Sequence, residues 1–282
     1  MYECKVKNHK GEVLNLSTSS KYTLYKITGL QPPASAVNTS DNATSDGVTI
    51  NSVRVGKRNI VLYMELKGDI EQSRINLYKY FPLKQTIAIY FKHGSRDVYI
   101  EGTVEDINCD PFAKKQVAQI SVICPKSYFK GVNDIVSYFS DVSSLFEFPF
   151  SIPESGIELS AITTNVRKSI INTGDEPSGV IIDLYAIGTV VNPVIYDVLK
   201  RTHIKLMFTM EANDRIIINT NYGEKSVTLV RGGVSTNIIG YLYPSSSWLM
   251  LETGDNVFTY DCDAGNSNLQ IAITSSILYG GV

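Results

Sequence analysis

The sequence contains few of the residues from which metal sites and disulfide frameworks are built. Its 282 residues include four cysteines and three histidines. These residues are Cys4, Cys109, Cys124, Cys262, His9, His93 and His203. The cysteines are widely scattered without a C-x-x-C pair, and no histidine belongs to an H-E-x-x-H motif. We therefore expect no bound metal, and we expect the cysteines to be ordinary buried or half-buried thiols.

Motifs that mark an enzyme or a cofactor site are also missing. No G-x-S-x-G sequence marks a nucleophile. The glycine pairs at 232–233 and 280–281 lack the lysine and the helix that follow a phosphate-binding loop. Carboxylates cluster at 105–110 and 261–263 without the full calcium-loop pattern, so exposed loops are the preferred interpretation. We expect no catalytic residue, no cofactor and no enzymatic activity.

Long runs of one chemical character do not occur. The chain has 26 basic and 28 acidic residues, a net charge of −2, and no basic stretch that indicates sequence-specific nucleic-acid binding. No apolar run approaches the roughly 20 residues of a membrane span, and the first residues, MYECKVKNHKGEV, hold no apolar stretch of signal-peptide length. We expect a protein that folds in a cytoplasm and has no membrane partner.

The composition that is present favours β-strands. The chain has 17 tyrosines and 10 phenylalanines, with abundant isoleucine, valine and threonine. Strand-like segments fill most of the first third. Residues 31–47 (QPPASAVNTSDNATSDG) hold almost no large apolar group and are predicted to form a loop. Residues 48–55 (VTINSVRV) then resume the alternation of a strand.

One helix interrupts the strands of the first half. It is predicted from Asp69, which can cap its N-terminus, to Phe81. Four apolar residues share one face of this helix: Ile70, Leu77, Tyr78 and Phe81. Arg74 falls on the same stripe and must extend to solvent or find a partner, whereas Glu71 and Lys79 fall elsewhere. The pattern is typical of a helix that covers one side of a small barrel or sheet.

Residues 126–156 form a bridge whose pattern supports two interpretations. The spacing of the apolar residues from Ile135 to Phe146 is helical. The segment FEFPF at 146–150 alternates as a strand does, and Pro149 and Pro153 argue against one continuous helix. Periodicity alone leaves this segment open.

From residue 157 onward the predicted strands are short and are separated by turn signals every eight to twelve residues, which indicates a β-sandwich. The sequence therefore predicts a mainly β protein of two domains. Residues 1–130 form a β-barrel-like or β-sandwich domain with one α-helix, and residues 131–282 form a second β-sandwich.

The single tryptophan, Trp248, has two interpretations. An aromatic side chain on a sandwich can act as a platform for sugars, and Tyr241 and Tyr243 would then belong to the same platform. The neighbouring Leu249 and Leu251 favour a core position for Trp248 instead.

The order of the short motifs resembles that of one known family, the distal tail proteins of long-tailed, non-contractile phages of Gram-positive bacteria. The similar segments span nearly the whole chain: Ile27–Pro33 (ITGLQPP), Asp46-Gly47, Arg58–Val61 (RNIV), Gly68–Arg74, Tyr99–Gly102 (YIEG), Gln119–Pro125 (QISVICP), Phe146–Phe150 (FEFPF), Asn172–Asp175 (NTGD), Asn192-Pro193, Ser247–Asn256 (SWLMLETGDN) and Tyr279–Val282 (YGGV). These are structural motifs and not catalytic ones.

The resemblance implies a structural protein of the virion at the distal end of the phage tail. Its first domain would form a homohexameric ring, and its second domain would be galectin-like or carbohydrate-module-like. The ring would join the tail tube protein to the tail-associated lysin or tail spike protein and to the receptor-binding or baseplate proteins, and genomic DNA would pass through it. The second domain has no long insertion, so strong binding to the host wall is not expected.

Seven residues are predicted to lie at the ring or partner interface: Ala34, Val37, Asn42, Asp46, Glu71, Arg74 and Lys79. The alternative function is carbohydrate binding by the second sandwich, through Trp248, Tyr241 and Tyr243. An exposed aromatic platform with polar neighbours would distinguish the two functions.

Overall fold

The structure, a computed structural model, describes residues 2–113, 115–144, 160–164 and 167–282. It divides into two compact units. The first unit comprises Met1–Val132 and Leu278–Val282, and the second comprises Asn133–Ile277. The domains predicted from the sequence, 1–130 and 131–282, differ from these units in the placement of residues 131–132 and of Leu278–Val282. We name these five residues the return segment, because the chain comes back to the first unit there.

The first unit is built from strands and one α-helix. Before the chain enters the second unit, the elements are β1 (Glu3–Lys7), β2 (Val13–Asn15), β3 (Tyr22–Thr28), β4 (Ser35–Asp41), β5 (Val48–Val55), β6 (Arg58–Leu66), α1 (Ile70–Tyr80), β7 (Thr86–His93), β8 (Arg96–Cys109), β9 (Val117–Cys124) and β10 (Phe129–Gly131).

One antiparallel sheet organises this unit. Its strands follow the order β2-β1-β7-β8-β9-β6-β3, and β10 also pairs with β8. The two ends of this path, β2 and β3, do not pair with each other, so the sheet does not close into a barrel. Alternate side chains of β6, from Arg58 to Leu66, are buried in the core, as the period of a strand requires.

The predicted helix is present as α1. The Asp69 side chain accepts a hydrogen bond from the backbone N–H of Gln72 at 3.1 Å, which caps the first turn. The helix buries Ser73 and Leu77, and Phe81 is buried just after its end. The prediction of one apolar face was partly wrong, because Ile70 and Tyr78 are exposed. Ser73 lies on the buried face instead. Its backbone carbonyl accepts a hydrogen bond from the hydroxyl of the core residue Tyr22 at 2.8 Å.

The predicted loop at 31–47 was wrong for residues 35–41. Ser35–Asp41 is a strand that pairs with β5 in a separate two-stranded antiparallel sheet. We name this hairpin, residues 35–55, the arm. Its first strand contains few strand-favouring residues, so its structure comes from its pairing with β5 and not from its own composition.

The second unit contains only strands and two short 3-10 helices, Ile239–Tyr241 and Asn266–Asn268, in its described part. Its strands are β11 (Ile135–Tyr138), β12 (Ser140–Ser144), β13 (Ser160–Thr164), β14 (Arg167–Asn172), β15 (Ser178–Ala186), β16 (Val190–Val191), β17 (Val194–Asp197), β18 (Thr202–Lys205), β19 (Thr209–Met210), β20 (Arg215–Asn219), β21 (Ser226–Arg231), β22 (Val234–Asn237), β23 (Met250–Leu251), β24 (Gly254–Asp261) and β25 (Leu269–Ser275). The return segment then contributes β26 (Leu278–Tyr279) to the first unit.

Two sheets enclose the core of the second unit. The larger follows the order β11-β25-β15-β20-β21-β22, and the smaller follows β14-β24-β17-β18. Buried residues from both sheets form one hydrophobic cluster, with Ile182 and Ile216 from the larger sheet and Ile195 and Phe258 from the smaller. The prediction of a β-sandwich is confirmed.

The bridge between the units begins with strands. Ile135–Tyr138 pairs with β25, and Ser140–Ser144 pairs with Ser160–Thr164. The helical spacing noted from Ile135 onward therefore does not produce a helix through residue 144. The segment FEFPF at 146–150 and Pro153 lie outside the described residues. None of the helices in the described ranges is long and apolar enough to cross a membrane.

Candidate assembly site

The arm is the most exposed element of the first unit. Every residue from Ala34 to Arg54 is exposed, including Val37 at 48%, Val48 at 52%, Ile50 at 62% and Val53 at 59%. A two-stranded hairpin is marginally stable on its own in water. An arm whose residues are this exposed is therefore suited to contact a different molecule.

A β-bulge places the apolar residues of the arm on one face. Val53 pairs with Val37, and Ile50 pairs with Thr39, with the register shift at Asn51 between them. A strict two-residue alternation would put Val48 and Ile50 on one face of β5 and Val53 on the other. Because the bulge adds one residue, all three lie on the same face, together with Val37. We name these three valines and one isoleucine the arm stripe: Val37, Val48, Ile50 and Val53.

The other face of the arm is polar. Asn38 donates from its amide nitrogen to the Ser52 hydroxyl at 2.9 Å, and Ser40 donates to the Asn51 side-chain oxygen at 3.3 Å. These cross-strand hydrogen bonds hold the hairpin together from the face opposite the arm stripe. The arm is thus amphipathic, and its apolar face is exposed.

Four of the seven predicted interface residues belong to the arm or border it. Ala34 precedes β4, Val37 lies in the arm stripe, and Asn42 and Asp46 lie at the tip. Asn42 accepts a hydrogen bond from the Thr49 hydroxyl at 2.8 Å. All four side chains are exposed. The structure therefore brings these four predicted residues together on one exposed element.

The other three predicted interface residues lie on α1 and are not joined to the arm by any hydrogen bond or ion pair in the described ranges. Glu71 is exposed. Lys79 forms an ion pair with Glu12 at 2.8 Å, and this pair lowers the pKa of Glu12. Arg74 is half-buried, and its Nε is buried without a hydrogen-bond partner among the described residues. Lys79 is therefore already engaged within its own unit.

A free sheet edge lies beside a cleft in the same unit. The edge strand β3 pairs only with β6 in the described structure. The cleft has a volume of about 420 Å³, and it is lined by Tyr2, Leu16, Leu30 and most of β3. The Tyr2 hydroxyl is buried with no hydrogen-bond partner among the described residues, and burial raises the pKa of Tyr2. An unpaired strand edge with a buried, unpartnered hydroxyl beside it is open to pairing with another chain. Sequence patterns did not identify this edge, since which strand ends a sheet depends on the fold.

The three aromatic residues of the alternative function have different surroundings. Tyr241 is exposed and meets Phe208 edge-on, with ring centroids 5.2 Å apart. Tyr243 is also exposed. Trp248 is half-buried against the core of the second unit, with the Lys225 ammonium 5.4 Å from its ring centroid. No ring contact joins Trp248 to either tyrosine in the described part of the chain.

The acidic residues noted in the sequence have ordinary structural partners. Asp263 accepts hydrogen bonds from Asn192 at 2.8 Å and from Lys205 at 3.0 Å, and these bonds lower the pKa of Asp263. Glu105 accepts a hydrogen bond from the Ser121 hydroxyl at 2.8 Å. Among the residues whose positions are described, no group of three His, Cys, Asp or Glu side chains is placed to hold a metal ion.

Two family models match this chain in succession. Residues 9–124 match the phage tail protein RIFT-related domain, and residues 173–275 match the C-terminal domain of the siphovirus-type tail component. No curated protein sequence matches the chain. With the mainly β fold and the exposed arm, these matches define a structural component of a phage tail. The chain belongs to the distal tail protein family of siphophages.

Solved phage structures share the fold. The distal tail protein of phage SPP1, described as a paradigm of the hub adsorption apparatus in phages that infect Gram-positive bacteria, is 10% identical over 98% of both chains, with a TM-score of 0.67. A chain of the phage P2 baseplate in its activated conformation with Ca is 12% identical over 98% of both chains, with a TM-score of 0.52. The corresponding structure with Sr gives 12% identity, the same coverage and a TM-score of 0.51.

Proposed function

We propose that this protein forms a hexameric ring at the distal end of the tail. The ring joins the tail tube protein to the tail-associated lysin or tail spike protein and to the receptor-binding or baseplate proteins, and genomic DNA passes through it. Family membership supports the tail location, and the similar solved structures, those of a hub adsorption apparatus protein and of a baseplate, favour a position at the tail tip. The observation that carries the proposal is the arm, an exposed hairpin whose apolar side chains are collected on one face.

A closed ring of identical subunits needs two different surfaces on each subunit, one that reaches out and one that receives it. The arm stripe is the reaching surface. The free edge of β3 with its cleft is the receiving surface, because it offers unpaired backbone groups beside apolar side chains such as Leu16 and Leu24. Both surfaces belong to the first unit, so this unit alone supplies the ring contact.

Burying the arm stripe supplies much of the driving force. Fully burying an exposed valine or isoleucine side chain contributes about 1.5–3 kcal/mol, and the residues of the arm stripe, which are 48–62% exposed, contribute roughly half of that each. Four such residues offset part of the entropic cost of association. A stable contact also has to bury at least about 1,000 Å² in total, so neighbouring surface of the first unit has to contribute as well.

The test replaces the arm stripe without changing the rest of the chain. The double variant Ile50→Ser/Val53→Ser removes two apolar side chains that are 62% and 59% exposed. The matched control, Ala36→Ser/Thr49→Ser, alters the polar face of the same hairpin. We expect both variants to fold as the wild type does, and only the stripe variant to be absent from tails assembled with the other tail proteins of the same phage.

Electron microscopy of purified tails and immunodetection of the protein in them give the readout. Normal incorporation of the stripe variant would show that the arm stripe has no role in assembly. Loss of incorporation by both variants would point to the whole hairpin and not to its apolar face.

A further inference from the structure

The arm joins the main sheet at a tightly constrained root. The chain enters the arm after Gly29 and leaves it through Gly56 into β6. Gly29 has a φ of +85°, and a Cβ at this position would lie 2.0 Å from the carbonyl oxygen of Asn59. Only glycine fits this close approach of two backbones. The entry and exit strands of the arm are therefore fixed against each other where they leave the sheet.

Arg58, the first residue of β6, lies at the centre of this root. Its side chain is 2% exposed, and its guanidinium donates hydrogen bonds to four backbone carbonyls. The acceptors are Gly29 at 2.6 Å, Gln31 at 2.8 Å, Ser127 at 2.8 Å and Gly280 at 2.6 Å. The guanidinium carbon also lies 4.4 Å from the centroid of the Phe129 ring. One side chain thus links the entry to the arm, the segment before β10 and the return segment.

No carboxylate in the described structure forms an ion pair with Arg58. Burial lowers the pKa of Arg58 from its usual value, but a guanidinium stays protonated in proteins. Its charge is balanced by carbonyl dipoles and by the face of Phe129. A fork of five N–H donors can reach four acceptors in different directions, whereas a lysine ammonium has three donors on a single atom. The arrangement is therefore specific for arginine.

The return segment contacts the arm root directly. The backbone N–H of Val282 donates to the carbonyl of Leu30 at 3.1 Å. A Cβ on Gly281 would lie 3.0 Å from Pro32 and 3.1 Å from the Leu30 carbonyl oxygen. Arg96 donates a short hydrogen bond to the Gly281 carbonyl, and its guanidinium lies 4.8 Å from the Tyr279 ring centroid. The terminal YGGV sequence thus packs on the segment that leads into the arm.

We propose that Arg58 and the return segment form a clasp that fixes the direction in which the arm leaves the sheet. The inference rests on the proposed function of the arm, and it makes residues 278–282 part of the assembly site although they lie more than 200 residues from the arm in sequence. Arg58 acts here as a positioning residue, since it holds the root and leaves the arm stripe free for the neighbouring subunit. The function of the YGGV motif is to complete the clasp.

Two variants of the full-length protein test this proposal. Arg58→Lys keeps the positive charge but loses the fork, and Arg54→Lys, at an exposed position on the arm, is its control. Gly281→Ala crowds the contact with Leu30 and Pro32, and Gly240→Ala, where an added Cβ meets nothing within 4 Å, is its control. Hydrogen–deuterium exchange measures the clasp locally, and incorporation into tails measures its effect on assembly.

In Arg58→Lys we expect amides of the β10–β26 pair and of Val282 to exchange about tenfold faster or more, a change equivalent to about 1.4 kcal/mol. Gly281→Ala should loosen the same amides. The core strands of the second unit should exchange as in the wild type, and tail incorporation should fall at least about tenfold in both variants. The two controls should behave as the wild type does.

Three results would overturn the clasp. Unchanged exchange at the root in Arg58→Lys would show that the guanidinium does not hold it. Faster exchange with normal tail incorporation would show that the clasp has no role in assembly, while the proposed function of the arm would stand if the stripe variant still failed to assemble. Faster exchange throughout both units would show that Arg58 supports the whole fold and not the arm root.

Discussion

At the scale of single residues, the chain uses buried charge in two different ways. Arg58 is surrounded by carbonyls, whereas Asp214 in the second unit has a charged partner. The Asp214 side chain is 2% exposed, and it accepts hydrogen bonds from Arg231 at 2.8 and 2.6 Å and from the Glu211 N–H at 2.8 Å. The hydrogen bonds from Arg231, the largest cause, lower the pKa of Asp214.

Asp214→Asn should destabilise the second unit at neutral pH by about 1.5–3 kcal/mol, the usual cost of losing a hydrogen bond to a charged group. Because the folded-state pKa of Asp214 is lowered, its stabilising effect is present above the unfolded-state pKa of about 3.9 and is lost as the pH falls through the folded-state pKa. The difference between wild type and variant should therefore shrink below about pH 4. Urea unfolding of both proteins at pH 7 and pH 3 measures this difference in the free energy of unfolding.

The control for this prediction is Asp183→Asn. Asp183 also pairs with an arginine, Arg215, but the two side chains are 26% and 53% exposed. An exposed pair of this kind contributes about 0.2–1 kcal/mol. An equal loss of stability in both variants would show that burial of Asp214 adds nothing to its ion pair.

At the scale of elements, the sequence predicts what depends on local pattern. The cap at Asp69, the extent of α1 and the alternation of the second-unit strands could all be predicted from spacing and turn residues. The strand Ser35–Asp41 could not, because it is defined by a partner strand and by a bulge that periodicity does not show. Burial of Ser73 in place of Ile70 was also not predictable, since the hydroxyl of Tyr22 approaches the helix there only in the folded chain.

The dependence on local pattern also explains which parts of the candidate assembly site could be predicted from the sequence. Val37, Asn42 and Asp46 could be chosen because they lie in a long polar segment, which is a local property. The free edge of β3 and the acceptors of Arg58 depend on contacts between distant segments, and Arg58 and Gly280 are 222 residues apart. The sequence singled out RNIV and YGGV as motifs without indicating that they meet.

The turn at the tip of the arm gives a prediction at this scale. Gly47 has a φ of +94°, whereas Gly56 at the base has no positive φ, and an added Cβ meets nothing within 4 Å at either position. Gly47→Ala should therefore strain the turn and loosen a hairpin that is already marginal, while Gly56→Ala should not. Exchange of the arm amides should rise in the first variant alone, and its incorporation into tails should fall. Equal exchange in both would contradict the assignment of strain to Gly47.

At the scale of the whole molecule, the protein is a structural tail component whose first unit carries the exposed arm. Arg54 lies on the arm and Lys57 at its base, and both are exposed. Trypsin should therefore cut the free protein at these two positions before it cuts β6. If the arm is covered by a neighbouring subunit, both sites should be protected in assembled tails.

Mass spectrometry of the fragments from free protein and from purified tails measures this protection. The exposed Lys225 in the second unit serves as an internal control for access of the protease. Cleavage at Arg54 at the same rate in tails and in free protein would show that the arm remains uncovered after assembly.

The path of the chain through the first unit also determines the order in which the parts of the arm root are synthesised. A ribosome completes β1 to β10 and then the entire second unit before it reaches residues 278–282. Until then Arg58 lacks its acceptor at Gly280, and β10 lacks its pairing with Tyr279. A nascent chain therefore displays the arm before its root is complete, and a prematurely terminated chain never completes it. The root of the arm therefore forms only after residues 278–282 have been made, long after the arm itself.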